Sequence, residues 1–358
     1  MGNRLHRARL MAGLSLRGLA DALDGEPSHT QLAKFEAGEA SPDSKQLARF
    51  SRVLKVRPDY FFKKDALKLA TVEYRSQTKL GEKGRKRLEE QAYEFFERYL
   101  EIERILEITT DALDRVDLCT KTEEELPDAI EQAAKDLRAA WELGMNPIPN
   151  VHVMLETHGV KVKTLPHEDG FDGFSAFATD GDTCVPVIAL SKRWLEKSEL
   201  DLPRFRFTAI HELAHLYLKL PDSLSHKEKE SWCHWFAGAF LIPQQPFEER
   251  FGVNRVKIAL NELIAIKQEW GMSLAAIMKR ASNLKLVTPG RYKTYCLVSN
   301  KKGWRTDEPG SWVGDEKSSR FEPLVLRALA QELITPSKAA GLLGVSLPEL
   351  GERYTPLD

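Results

Sequence analysis

The sequence predicts a mainly α, multidomain chain with one small sheet near its middle. Three observations lead there. Its 358 residues suggest two or three domains rather than one. Apolar residues recur at helical spacing along most of the chain, between Ser, Thr, Asp and Gly residues suited to helix ends. Three short segments, Val160–Thr164, Phe174–Thr179 and Val185–Leu190, read instead as strands joined by Gly- and Asp-rich turns. Lysine plus arginine (52) nearly equals aspartate plus glutamate (53), so no polyelectrolyte character points to a partner. Cys119, Cys184, Cys233 and Cys296 lie far apart without a C-x-x-C, and nothing suggests a disulfide framework. The N-terminus is too charged for a secretory signal and no apolar run approaches a membrane span, so the chain reads as cytoplasmic with no membrane contact.

Residues 1–64 read as five short helices. Leu5, Leu10 and Leu14 begin the apolar pattern, and Ser15 is placed to cap a second helix carrying Leu16, Leu19, Ala20 and Leu23. Asp24-Gly25-Glu26-Pro27 is a turn. Ser28 and Gln31 fit a capping box that opens a third helix through Phe35, and Gly38 closes it. A fourth helix from Asp43 turns Leu47, Phe50 and Leu54 inward, and Pro58 opens a short fifth. Helix, turn and capped polar helix is the helix-turn-helix arrangement, whose second helix enters the DNA major groove. Leu5-x-x-Ala8-Arg9-x-x-x-Gly13-Leu14-Ser15, Leu19-Ala20-x-x-Leu23 and the Glu36-x-Gly38 pair resemble the XRE family of DNA-binding domains. The resemblance implies a double-stranded DNA operator as partner, with His29, Thr30, Gln31 and Lys34 facing bases and Arg17 on phosphate. Gln31 suits adenine, and Lys34 suits guanine or phosphate. The turn before Ser28 is longer than the family's. The competing reading is a helical bundle that docks on protein.

Residues 65–120 read as a helical linker. Leu88, Tyr93, Phe96, Tyr99, Leu100, Ile102 and Leu106 recur at helical spacing behind a basic cluster of Lys79, Lys83, Arg85, Lys86 and Arg87, read as a solvated face. The apolar stripe must pack on the neighbouring domain or on a second copy of the chain, as in a homodimer. Glu123–Gly144 is a further helix, Pro147-Ile148-Pro149 turns the chain, and Val151–Thr157 is helical again before the three strands. His152, His158 and His167 are isolated and read as surface or core histidines.

The run Phe207–Pro243 carries the chemistry. It holds His211-Glu212-Leu213-Ala214-His215, and residues four apart share one helix face. Two imidazoles can therefore serve one zinc, with Glu212 placed as general base on a water beside it. Ile210, Leu213, Ala214, Leu216, Tyr217, Leu218 and Leu220 make this helix apolar all round up to Pro221, so it is buried and its polar groups need partners. After a loop at Asp222–Ser225, a second helix runs to Leu241. On it Glu230 and His234 share a face, and a carboxylate from there completes a His-His-Glu set with the open position a catalytic zinc requires. A third histidine six residues after the second is excluded, because that place is Pro221. Beyond the metal, Tyr217 and His234 are the candidates for stabilising an oxyanion. The bland alternative is a helix whose histidines only satisfy core hydrogen bonds.

RFRFTAIHELAHLYLKL, followed by Glu230, Cys233, Phe236, Ala237, Phe240, Leu241, Ile242 and Pro243, resembles the ImmA/IrrE-type metallo-endopeptidases. The resemblance implies a zincin-like α+β domain in which His211, His215 and Glu230 bind zinc and Glu212 is the base. His234 departs from it, standing where the family usually has Asn. Gly173-Phe174-Ser175 sits at the family's GFS-like position, and a sheet edge facing the zinc would suit an extended peptide. The implied activity is cleavage of a repressor-type protein, or of this chain itself, which relieves transcriptional repression in prophages, mobile elements or stress responses. Manganese or iron also suits the ligands. Two alternatives remain: a non-proteolytic DNA-binding regulator whose metal is structural or sensory, and a toxin–antitoxin component acting through protein contacts.

The chain thus divides into a helix-turn-helix domain (1–64), a helical linker (65–120), a zincin-like metallopeptidase domain (121–290) and a C-terminal region (291–358). Within the last, Tyr292–Val298 and Gly303–Arg305 read as a hairpin. The helical tail beyond Phe321 reads as an interaction or dimer element rather than a second DNA reader.

Overall fold

The computed structural model describes residues 1–63, 67–74, 80–110, 112–181, 183–196, 202–253, 255, 257–318 and 320–354. It begins with α1 (Gly2–Met11), α2 (Leu16–Ala22), α3 (His29–Ala37), α4 (Ser44–Leu54) and a 3-10 turn at Pro58–Phe62. The capping residues lie where the sequence puts them. Ser15 Oγ accepts from Gly18 N and Ser28 Oγ from Gln31 N, Asp43 forms a full capping box with Gln46, and Gly38 ends α3 in the left-handed region. Leu5, Leu19, Leu32, Phe35, Phe50 and Phe61 close a separate small core.

The linker departs from the expectation. Leu67–Tyr74 form a strand, β1, and only then does α5 (Glu82–Ile105) begin. The reason is local: Leu67 and Leu69 alternate with exposed Lys68, a period of two rather than a helical one. Lys79 lies outside the described residues. The remaining bases of the cluster include Lys86, paired with Glu82 at 2.7 Å, and Arg87, whose Nε is 2.8 Å from Glu168.

A short strand β2 (Val116–Asp117) leads into α6 (Leu126–Ala140), α7 (Val151–Thr157), β3 (Lys161–Leu165), β4 (Gly173–Asp180), β5 (Thr183–Ser191), α8 (Arg193–Glu196) and α9 (Leu202–Tyr217). The main sheet has the order β1-β4-β5-β3, with β4 antiparallel to both neighbours and β3 parallel to β5. Alternation along the strands splits the core. On β5, Val185, Val187 and Ala189 face one cluster while Ile188 and Leu190 face the other. The stripe of α5, with Leu88, Phe96, Tyr99 and Leu100, covers the first face, so it packs on the chain's own sheet. Helix α9 covers the second.

Helix α9 ends at Tyr217, one turn before Pro221. Leu218–Lys219 leave it as β6 and pair in parallel with β2. Then come α10 (His226–Leu241), α11 (Gln244–Phe251), α12 (Leu260–Trp270), α13 (Leu274–Asn283) and α14 (Pro289–Lys301). Helix α14 replaces the expected hairpin. Tyr, Thr, Cys and Val favour strands, but Thr288 Oγ1 accepts from Arg291 N as the cap, Pro289 opens the helix, and Tyr292 and Tyr295 pack three apart against the main core. Helices α15 (Phe321–Ala330), α16 (Pro336–Leu343) and α17 (Leu347–Arg353) close over α5, with Phe321 5.0 Å from Phe95 and 5.2 Å from Tyr99 between ring centres. Among the described residues no helix is long and apolar enough to cross a membrane.

Beneath α5, Glu156 of α7 accepts from Ser318 Oγ (2.8 Å) and Tyr99 Oη (3.3 Å). Burial pushes its carboxyl from 4.5 up to about 7, against these hydrogen bonds and the charges of Arg320 and Lys161. Between those two values the unfolded chain has released this proton and the folded chain still holds it. This group's contribution therefore lowers stability as pH rises through that window. Glu156→Gln is expected to flatten the fall and raise Tm at pH 8 relative to wild type. Melting both proteins from pH 4 to 8 checks this, and parallel curves would refute it.

Candidate metal centre

Two helices build the centre. Helix α9 is buried along nearly its whole length, and it carries His211 and Glu212, both 0 % exposed, with His215 one turn on. Helix α10 is opened by a Ser225–Glu228 capping box and seated by Cys233, Phe236 and Phe240, which turns half-buried Glu230 toward α9. Glu230 Oε2 lies 3.2 Å from His211 Nε2, and its Oε1 lies 3.0 Å from His215 Nε2. The two Nε2 atoms are 3.1 Å apart. The candidate ligand atoms of His211, His215 and Glu230 all lie within 4.8 Å of one another. Burial works to raise the Glu230 carboxyl, but the hydrogen bonds and charges of the two histidines outweigh it and hold it far below the usual carboxylate range. Two imidazole nitrogens and a carboxylate oxygen converging in this way are a donor set that suits zinc.

The surroundings orient these groups. Cys233 Sγ is 3.6 Å from His215 Nδ1, so the ring presents Nε2 to the cluster. His234 Nδ1 is 2.6 Å from the main-chain carbonyl of Glu230. A carbonyl only accepts, so that nitrogen carries a proton. The His234 ring lies 4.3 Å from that of His211 and is stacked on Phe207 at 5.8 Å, beside the three converging atoms rather than among them.

Glu212 meets the sheet. Its Oε2 accepts from Ser175 Oγ of β4 at 3.0 Å. Gly173 of the same strand makes room for it: a Cβ there would come 3.3 Å from Glu212 Oε1 and 3.1 Å from the Ala189 carbonyl. Tyr217, one of the two candidates for stabilising an oxyanion, lies two residues past His215 on another side of the helix and packs on Phe236 at 5.7 Å. The isolated histidines stay apart from the centre. His152 is buried with Nδ1 3.2 Å from the Glu316 carbonyl, His158 stacks on Trp141, and His167 lies 3.4 Å from Asp169.

Ser175, Gly173 and Cys233 acquire roles that their types alone did not announce. The same holds for Arg206, in the first turns of α9, and Glu316, in the segment before α15, a fully buried pair at 2.5 Å. The GFS-like position of Gly173 and Ser175 and the place of Cys233 in the family pattern were the signals the sequence offered.

In the N-terminal domain, Leu32 and Phe35 bury one face of α3 while His29, Thr30 and Lys34 are exposed and Gln31 is half-buried. Arg17 is exposed on α2. The longer turn is held by Arg49, whose guanidinium donates to the Leu23 carbonyl. Much of the basic charge of α1 is turned inward: Arg4 pairs with Glu97 and Arg7 with Glu90, each at 2.7 Å, and Arg9 pairs with Glu36 at 2.6 Å.

Two family models match separate parts of the chain. Residues 155–282 match the model of the IrrE N-terminal-like domain, peptidase M78, and residues 5–61 match a helix-turn-helix model. No curated protein matches the chain. The peptidase match spans β3 to β5, α9 and α10, and it supports an enzyme of the metallopeptidase type. The chain carries an XRE-type helix-turn-helix domain followed by an IrrE N-terminal-like M78 peptidase domain, in that order.

Proposed function

We propose that this chain is a zinc-dependent endopeptidase coupled to a DNA-binding transcription regulator, and that it hydrolyses a peptide bond in a repressor-type protein or in itself. One observation carries the reading: His211, His215 and Glu230 converge from two helices while Glu212, next to them, is held by Ser175. Zinc, when bound by these three residues, supplies Lewis-acid activation of a water and of the scissile carbonyl. Glu212 takes one proton from the attacking water. As the carbon–oxygen bond forms and the carbon–nitrogen bond breaks, it passes that proton to the leaving amine. The Ser175 hydroxyl fixes the carboxylate so that one orientation serves both transfers. Cys233 keeps the His215 ring turned to its task.

The test is metal content per purified chain. Wild type is expected to hold about one zinc per chain, as a single three-residue site requires. Glu230→Ala should lose it and His234→Ala should keep it. A properly reconstituted wild type without metal would sink the enzyme reading.

The DNA arm has its own check. Exposure of His29, Thr30, Lys34 and Arg17 around α3 supports their contact with a duplex. Arg17→Ala should weaken binding to all sequences alike and lower the salt slope by about one, the signature of a lost phosphate contact. An unchanged slope would remove Arg17 from the interface.

A further inference from the structure

An extended peptide can join a sheet only at an edge strand. The strand that meets the metal centre is β4, through Ser175 and Gly173. It has no free edge, because β5 takes one side and β1 the other. β1 runs antiparallel to β4, with Glu73 opposite Ser175 and Tyr74 opposite Phe174. It therefore lies beside the residue that holds Glu212, in the extended form a peptide would take.

β1 is attached unevenly. At its start Leu67 is buried under α5, its carbonyl accepts from Tyr93 Oη at 2.5 Å, and Thr179 Oγ1 donates to the Lys68 carbonyl at 3.3 Å. Between Ala70 and Glu73 the register is interrupted, just before the part that faces Ser175. A bulge leaves backbone groups unpaired and weakens the ladder locally. The strand is anchored at the end remote from the centre, and its ladder is interrupted before the end beside it.

We propose that β1 is a resident stand-in for substrate: residues 67–74 fill the strand-pairing position on β4 and must leave it before a peptide can enter. This rests on the peptidase reading and adds its regulation. A strand tethered in this way competes at an effective concentration in the millimolar range, so any incoming peptide meets a strong rival.

The experiment uses the full chain with Glu212→Gln, zinc added, and a fluorescent peptide of sequence LKLATVEY read by anisotropy. Lys68→Cys with Thr179→Cys joins facing residues of the two strands. Cys184→Ser is included because Cys184 faces Thr179 on the other side. Oxidised, this protein should not bind the peptide; reduced, it should bind as the unlinked chain does. Lys68→Pro and Leu69→Pro are compared as well. Backbone N–H groups of an edge strand alternate between partner and solvent, so one of the two removes a ladder bond and the other serves as control. That one should tighten binding at least about tenfold by weakening the tethered rival. Equal binding by oxidised and reduced protein overturns the proposal, whatever the proline variants do. The cross-link and its reduction are repeated with Glu212 intact on an unfolded protein substrate. If both forms cleave alike, the peptidase reading stands and the proposal falls. If binding switches but neither form cleaves, β1 still holds the edge and the peptidase reading falls.

Discussion

Glu212→Gln should lower peptide-bond hydrolysis on the order of 10² to 10⁴-fold, the contribution of a positioned general base. Zinc content and DNA affinity should not change. The amide has the same shape and its carbonyl oxygen can still accept from Ser175 Oγ, so the buried site keeps its geometry. What disappears is the capacity to take a proton. Folding should not suffer, because a fully buried carboxylate is replaced by a neutral group. Cleavage kinetics, metal content and a DNA titration on the same preparation test all three statements. A variant that cleaves at the wild-type rate would refute the role of Glu212, and a variant that loses zinc would show that Glu212 supports the metal.

Arg206→Ala and Glu316→Ala should each destabilise the fold by about 3–5 kcal/mol, the cost of leaving one buried charge without its partner. The pair is 1 % and 0 % exposed. Arg206 also donates to the carbonyls of Gly271 (3.1 Å) and Ile148 (2.7 Å), and Glu316 accepts from Val151 N (2.8 Å) and His152 N (3.0 Å). The two side chains thereby tie the start of α9 to α7 and to the 309–318 segment. Burial drives both groups toward neutrality, pulling Arg206 down and pushing Glu316 up, while each partner's charge opposes it. Because Gly271 O, Ile148 O, Val151 N and His152 N would lose their partners, the double change Arg206→Met with Glu316→Leu should recover only the part of the loss due to the unpaired charge. Urea unfolding of the two alanine variants and of Arg206→Ala combined with Glu316→Ala measures the coupling, and additive losses would show that the pair does not act as a unit.

The parts of the centre that are legible in the sequence are those set by spacing along one helix. His211 and His215 meet because they are four apart, and the capped second helix with Glu230 could be read from Ser225 and the apolar run that follows. Glu230 could be named from its place on that helix, and the family resemblance pointed to it as well, but nothing local states the angle that turns it toward α9. Glu316 was out of reach: it is 110 residues from Arg206, and a glutamate in a polar segment gives no sign that it will be buried. Residues 67–74 escaped notice for a related reason. A strand becomes evident through its partner, and β4 lies about a hundred residues further on. At α14 the signal was present in Thr288-Pro289, but the β-favouring residues behind it pointed the other way, and packing of Tyr292 and Tyr295 decided the outcome.

The seam between α1 and α5 changes what the two modules can do together. Arg4 and Arg7 insert between glutamates of α5, and the Arg7 guanidinium rests 3.2 Å from the centre of the Tyr93 ring. Domains on a slack tether share only proximity, so binding by one merely raises the local supply for the other. A packed joint also shares orientation. With α3 pressed into a groove, the duplex would set the heading of the whole chain, and the metal centre would turn with it as the head of a bolted tool turns with its handle. A protein lying alongside on the same duplex would meet that centre from one bearing at a time, and the phase of the double helix, rather than distance alone, would govern who is met.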